Sequence, residues 1–380
     1  MSDVFYLPNE NDRLELDKFL PQKLSFIESK KREDSFMYSS LYCLTNTELY
    51  MKRFLPIIKT EISKGEKDYA FFDMMNNLYE DIKSNECKEH TLNQIKKFKD
   101  SLGDKNNDPR LLIRYILADL LTPREIITEI KKTNSGFYTG SQNDNFLSIK
   151  NEKLSLHDNL DISIIKSYDW TDKIQDIENK EYNIIIKKTN NEGKSEYGLY
   201  NFIKLYLSEE KKEYTLEKCL EEYLNGADDQ LKTNVSFPKK PIFGDIDKKI
   251  YYKLPKSIII FIYYQKNEID EENPQNYFYN FKEILDLSNA DFIDKDTPYK
   301  KYFLSSLIVC KFPKIENKKF YYTYCRKNKD SNYIIYNSKD KDIRDINEKF
   351  KFVSKILKRE KNDKLKSAKS YPYVLVYTAV

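Results

Sequence analysis

Covalent hydrolysis needs a nucleophile with a base beside it, and this chain is poor in the usual side chains for both roles. It holds five cysteines, Cys43, Cys87, Cys219, Cys310 and Cys325, and two histidines, His90 and His157. The thiols are scattered singly with no CxxC pair, so neither a redox motif nor a disulfide framework is indicated. Cys310 in LIVC and Cys325 in TYCR lie among apolar residues of strand-like segments and fit small core positions. His90 in KEHTL and His157 in SLHDN lie in polar surroundings, which suit surface or capping roles better than ligation.

The elements that would position any site change character along the chain. Residues 1–30 form a lead-in. From Ser35 to about Thr60 the apolar residues Phe36, Leu41, Leu44, Leu49 and Phe54 recur at roughly helical spacing. Further helical patterns follow to about 133, the strongest being DPRLLIRYILADLL, where Asp108 precedes the start and Pro109 stands just inside it. Residues 134–156 suit a loop. Then come short runs rich in Ile and Tyr, such as EYNIIIKKT and GLYNFIKLYLS, with a helix at EYTLEKCLEEYLNG closed by Gly226. After Tyr251 the pattern is mostly strand. Helices first and strands later point to an α+β protein.

Composition sets outer limits. The 380 residues are 40% hydrophobic and 14% aromatic, with 31 tyrosines, enough for a substantial core. Net charge is +4, from 65 basic and 61 acidic residues, which does not suggest a dedicated nucleic-acid binder. The tract from Lys351 to Lys369 is basic and could touch phosphate, but a solvated loop is the favoured reading. The Tyr-rich strands suggest half-buried faces. The N-terminus is too polar for a signal peptide. No apolar run approaches the ~18–20 residues of a spanning helix. The expectation is a soluble protein of the cytoplasm or nucleus, without membrane contact.

In order and spacing, DSFMYSSLYCLTNT, DPRLLIRYILADL, YTLEKCLEEYLN, LPKSIIIFIYY, FKEILDLS, KKFYYTYCR, YIIYNSKD and SYPYVLVYTAV resemble the segments of the ubiquitin-specific protease catalytic domain. That family comprises cysteine deubiquitinases, also called ubiquitin carboxyl-terminal hydrolases. The resemblance implies a papain-type α+β fold with a helical thumb, a β-rich palm and β-rich fingers. A single domain would span 31–380, with the thumb at about 31–155, the fingers at about 156–250 and the palm at about 251–380. Many members carry a zinc ribbon built from two Cys pairs. Between 155 and 250 only His157 and Cys219 could ligate, so no zinc ribbon, metal or other cofactor is expected.

The resemblance also implies where the chemistry has gone. Ser35 stands at the nucleophilic Cys position and Phe320 at the catalytic His position. Lys30 occupies the position of the oxyanion-hole Asn, and Asn337 fits the third triad position. A serine hydroxyl is a poor nucleophile unless a base takes its proton, and Phe320 cannot be that base. Neither histidine lies in the C-terminal strands. Cys43, eight residues after Ser35, is either a relocated nucleophile or a buried core residue; the second is favoured.

A catalytically inactive deubiquitinase-like protein is therefore expected, serving as a scaffold or interaction subunit with protein partners. One alternative is a pseudo-deubiquitinase that reads or shields ubiquitin. In that case the cleft should be open, and not blocked by Phe320, Lys30 or Tyr38. An active hydrolase using Ser35 is the least favoured. The Asn107–Asp108–Pro109 segment is also similar to the inactive tri-snRNP splicing branch, a weak likeness that does not commit the chain to splicing.

Overall fold

The computed structural model describes residues 35–45, positions 74, 77, 89–91, 93, 94, 97, 108–110, 112 and 113, and then 184–193, 195–200, 202–207, 213–226, 246–264, 277–311, 319–326, 328–331, 333–336, 353–359 and 370–380. Two named helices lie among these, α1 (Ser35–Thr45) and α2 (Leu216–Gly226).

The largest sheet is built where the sequence is most apolar. It contains β3 (Ile203–Leu207), β6 (Ser257–Tyr264), β9 (Lys301–Lys311), β10 (Phe320–Cys325), β11 (Ile334–Tyr336) and β13 (Ser370–Ala379), in the order β11-β10-β9-β13-β6-β3. The short β8 (Ile284–Asp286) adds to β9. Only the β3–β6 pair is parallel; the others are antiparallel. All eight residues of β6 are buried. A strand paired on both edges and covered on both faces has no polar side to show, which explains the unbroken run SIIIFIYY.

A second sheet joins β1 (Ile184–Asn190), β2 (Ser195–Tyr200) and β5 (Ile246–Lys253) in the order β2-β1-β5. Its first hairpin turns through Gly193 at φ 78°, a left-handed conformation that glycine adopts without steric cost. The Gly193 N–H donates to the Asn190 carbonyl at 2.9 Å, and the Asn190 side chain accepts from Glu192 N–H at 3.1 Å. A third sheet sets β7 (Phe278–Asn280) between β12 (Lys358–Arg359) and β4 (Glu213–Thr215). The span 156–250 thus distributes its described strands over all three sheets.

Helix α2 buries Leu216, Cys219, Leu220 and Leu224, one stripe at helical spacing. Thr215 Oγ1 accepts from Lys218 N–H at 3.4 Å, and the Tyr251 hydroxyl donates to the Leu220 carbonyl at 3.0 Å. Tyrosine is also the main bulk of the interior, contrary to the half-buried faces suggested by its strand positions. Tyr251, Tyr264, Tyr277, Tyr279, Tyr302, Tyr324, Tyr371, Tyr373 and Tyr377 are all under 2% exposed. Several hydroxyls reach backbone carbonyls across the core: Tyr264 to Pro372 at 2.8 Å, Tyr302 to Pro255 at 3.0 Å, and Tyr377 to Lys282. A buried phenol is tolerated when its O–H finds an acceptor.

Candidate functional site

Helix α1 lies along β10, with Ser35 at its first residue. The two elements meet in a regular seam. The Tyr321 N–H donates to Ser35 Oγ at 3.1 Å, and Thr323 Oγ1 donates to the Ser39 carbonyl at 3.0 Å. The Cys325 thiol reaches the Tyr42 carbonyl at 3.7 Å. From the neighbouring β9, Ser306 Oγ lies 3.5 Å from the Cys43 carbonyl and 3.4 Å from Cys325 Sγ. Every second strand residue therefore meets every third or fourth helix residue, in the same chain direction. The match is geometric: two strand residues advance about 6.6 Å and four helical residues about 6.0 Å.

Strand β11 pairs only with Thr323, Tyr324 and Cys325, so Tyr321 lies beyond its end. Tyr321 is paired with Cys310 of β9 on one side, and its N–H donates to the Ser35 hydroxyl, as a buried amide requires an acceptor. Ser35 is 1% exposed. Phe320, one residue before Tyr321, is partly buried and stacked on Tyr322 with ring centroids 6.4 Å apart. Its side chain carries no basic atom.

Beside the seam, positions 109, 110, 112 and 113 are helical, directly after Asp108, as their sequence predicts. Asp108 Oδ1 accepts from Arg110 N–H at 2.8 Å, the Leu112 N–H donates to the Asp108 carbonyl at 3.2 Å, and Pro109 stands inside the start. Arg110, which no local pattern singled out, is 3% exposed. Its guanidinium pairs with Asp108 at 2.5 Å and donates to the Ile262 carbonyl at 2.6 Å and the Tyr373 hydroxyl at 3.0 Å. It lies between the Tyr263 and Tyr373 rings, 4.1 and 3.9 Å from their centroids. Lys319 donates to the same Tyr373 hydroxyl at 3.0 Å, and Tyr373 packs on Tyr321 at 5.4 Å. Burial alone raises the Asp108 carboxyl. The Arg110 charge and its hydrogen bonds, helped by Lys319, outweigh that and hold the pKa below the ordinary value.

The described thiols are not poised for chemistry. Cys43, Cys219, Cys310 and Cys325 are buried. Desolvation, and then the neighbouring Cys325, push the Cys43 pKa well up; desolvation pushes Cys325 to about 12 despite its Ser306 hydrogen bond. Cys43 is the core residue of the two alternatives its spacing allowed. His90 is exposed on a helix. No cluster of three His, Cys, Asp or Glu side chains able to hold a metal occurs among the described residues. Lys30, Cys87, His157, Asn337 and most of the 351–369 tract lie outside the described residues. No described helix is long and apolar enough to cross a membrane.

No protein-family model matches the chain, and no curated protein matches its sequence. Solved structures do match its fold. A chain of the SAGA Ubp8/Sgf11/Sus1/Sgf73 DUB module aligns at 11% identity and a TM-score of 0.50, covering 98% of this chain and 74% of that one. A second structure, the Ubp8-Sgf11-Sgf73-Sus1 SAGA DUB module, aligns at 12% identity and 0.50, covering 100% and 75%. At such identity the likeness is one of fold. Mixed helix and sheet, with α1 laid along β10, is a ubiquitin-specific-protease-like fold.

Proposed function

We propose that this protein is a catalytically inactive deubiquitinase-like pseudoenzyme, serving as a scaffold or interaction subunit of a larger assembly in the cytoplasm or nucleus. In this reading its helices form a thumb against a β-rich palm, and its fingers hold by packing without a zinc ribbon. The observation that carries it is the Ser35–Tyr321 hydrogen bond at 3.1 Å, with Phe320 adjoining. The hydroxyl at the nucleophile position accepts from a backbone amide, and the neighbouring side chain has no basic atom. Lys30 in place of an amide donor supports the same reading, since one lost oxyanion donor typically costs about 10²–10³ in rate. The likeness in fold to a DUB module named with three partner proteins supports a role through protein contacts.

The test is turnover of a ubiquitin C-terminal fluorogenic substrate. The expected result is no hydrolysis above the uncatalysed rate. Turnover abolished by Ser35→Ala would overturn the proposal. The same fold likeness also supports a second reading, in which the chain binds ubiquitin without cleaving it. Calorimetric titration with monoubiquitin separates the two. A dissociation constant at or below roughly 10 μM favours the reader, and no heat at several hundred micromolar favours the scaffold.

A further inference from the structure

A substrate tail can react only if its carbonyl carbon reaches about 3–3.5 Å from the nucleophile. Ser35 Oγ touches the backbone of the facing strand directly, at 3.1 Å from Tyr321 N, and Ser35 is 1% exposed. The contact is not local to one residue. It is the first rung of a seam continued by Thr323 on the Ser39 carbonyl and by Cys325 and Ser306 on the Tyr42 and Cys43 carbonyls. Behind it, the Tyr321 ring packs on Tyr373, which rests against Arg110. Opening the groove at Ser35 would expose a buried amide and disturb the packing that continues to the Arg110–Asp108 pair.

We infer that the groove is closed at its head by the α1–β10 seam, and that protein partners bind without inserting an extended tail between these two elements. Ser35 acts here as a structural bond between helix and strand. The inference rests on reading Ser35 and Phe320 as the two positions that flank the groove, and it goes further by stating how a partner does not dock.

The test uses the full chain carrying Ser35→Cys, treated with iodoacetamide and mapped by peptide mass spectrometry so that the native thiols are counted separately. The introduced thiol should be alkylated at least about 100-fold more slowly in the native chain than in urea, as for a group that reacts only through opening. Labelling at the unfolded rate in a natively folded variant overturns the closed groove. Because the substitution could itself loosen the seam, amide hydrogen exchange on the unmodified chain gives a second measure. The Tyr321 amide should be protected and should exchange at least about tenfold faster in Ser35→Ala; an amide already unprotected, or unchanged by the substitution, overturns the assignment. If monoubiquitin binds, ubiquitin lacking its C-terminal tail should bind equally well, and a tenfold loss on truncation overturns the inference. An open groove without turnover refutes only this inference, whereas turnover refutes the proposed function.

Discussion

Arg110 is a cation buried against the Asp108 carboxylate, and that pairing makes its position tolerable. Replacing it with leucine keeps much of the bulk but removes the main counter-charge of Asp108, leaving only the smaller influence of Lys319. Breaking a buried pair from one side costs about 3–5 kcal/mol, and Arg110→Leu should fall near the lower end because Asp108 is 21% exposed. Urea denaturation should show the loss as a lower midpoint at an unchanged slope. Arg110→Leu with Asp108→Asn should recover part of it, since no unpaired charge then remains. The same pair sets a pH dependence. A carboxylate whose folded pKa is depressed contributes stability that is present above its unfolded value of about 3.9 and lost as pH falls through the folded value. Stability should therefore drop below about pH 4, and Asp108→Asn should flatten that part of the curve. An unflattened curve would assign the acid sensitivity to other carboxylates. Nothing in the local pattern marks Arg110, because its partners Ile262 and Tyr373 come from strands 152 and 263 residues away. By contrast, Asp108 and Pro109 were legible as a helix start, since capping depends on immediate neighbours.

The seam shows what one element asks of another. Helix α1 carries no charged residue to fix its register, so the strand side chains place it. Thr323→Val preserves shape and removes the donor to the Ser39 carbonyl, a loss of about 1 kcal/mol. Ser35→Ala removes the hydroxyl that accepts from the Tyr321 amide and should cost about 1–3 kcal/mol. Equal effects would indicate that the amide finds another acceptor. The β1–β2 hairpin tests a different dependence. A Cβ at Gly193 meets nothing within 4 Å, so any cost of Gly193→Ala is one of backbone conformation. At φ 78° that cost should be about 1–2 kcal/mol, and Gly193→Asn should cost less. The strands themselves were largely legible: SIIIFIYY, KKFYYTYCR and SYPYVLVYTAV became β6, β10 and β13 because unbroken apolar and aromatic runs suit strands covered on both faces. Their depth of burial was not. Tyr264 and Tyr302 are interior because Pro372 and Pro255 offer carbonyls at the right depth, which no alternation pattern records.

At the scale of the whole molecule, the proposed inactivity raises the question whether the fold would allow chemistry if a thiol and an imidazole stood at Ser35 and Phe320. Ser35→Cys with Phe320→His restores a nucleophile and a base by residue type. It does not restore a place for the substrate. The new thiol would inherit a position that is 1% exposed and faces the Tyr321 amide. Burial raises a thiol pKa, as it does for Cys43 and Cys325 on the same helix–strand interface. An imidazolium nearby lowers a thiol pKa, but a thiolate formed there still lacks a path to a carbonyl carbon. The double variant should remain without measurable turnover of the fluorogenic ubiquitin substrate. Activity measured across a urea series distinguishes the causes if weak activity emerges. Activity that rises only under mildly destabilising urea would mean that opening the seam limits the rate. Full activity in dilute buffer would mean that the groove opens freely and that two substitutions alone separate this fold from catalysis. Inactivity in this chain would then belong to two side chains, and not to the packing of α1 against β10.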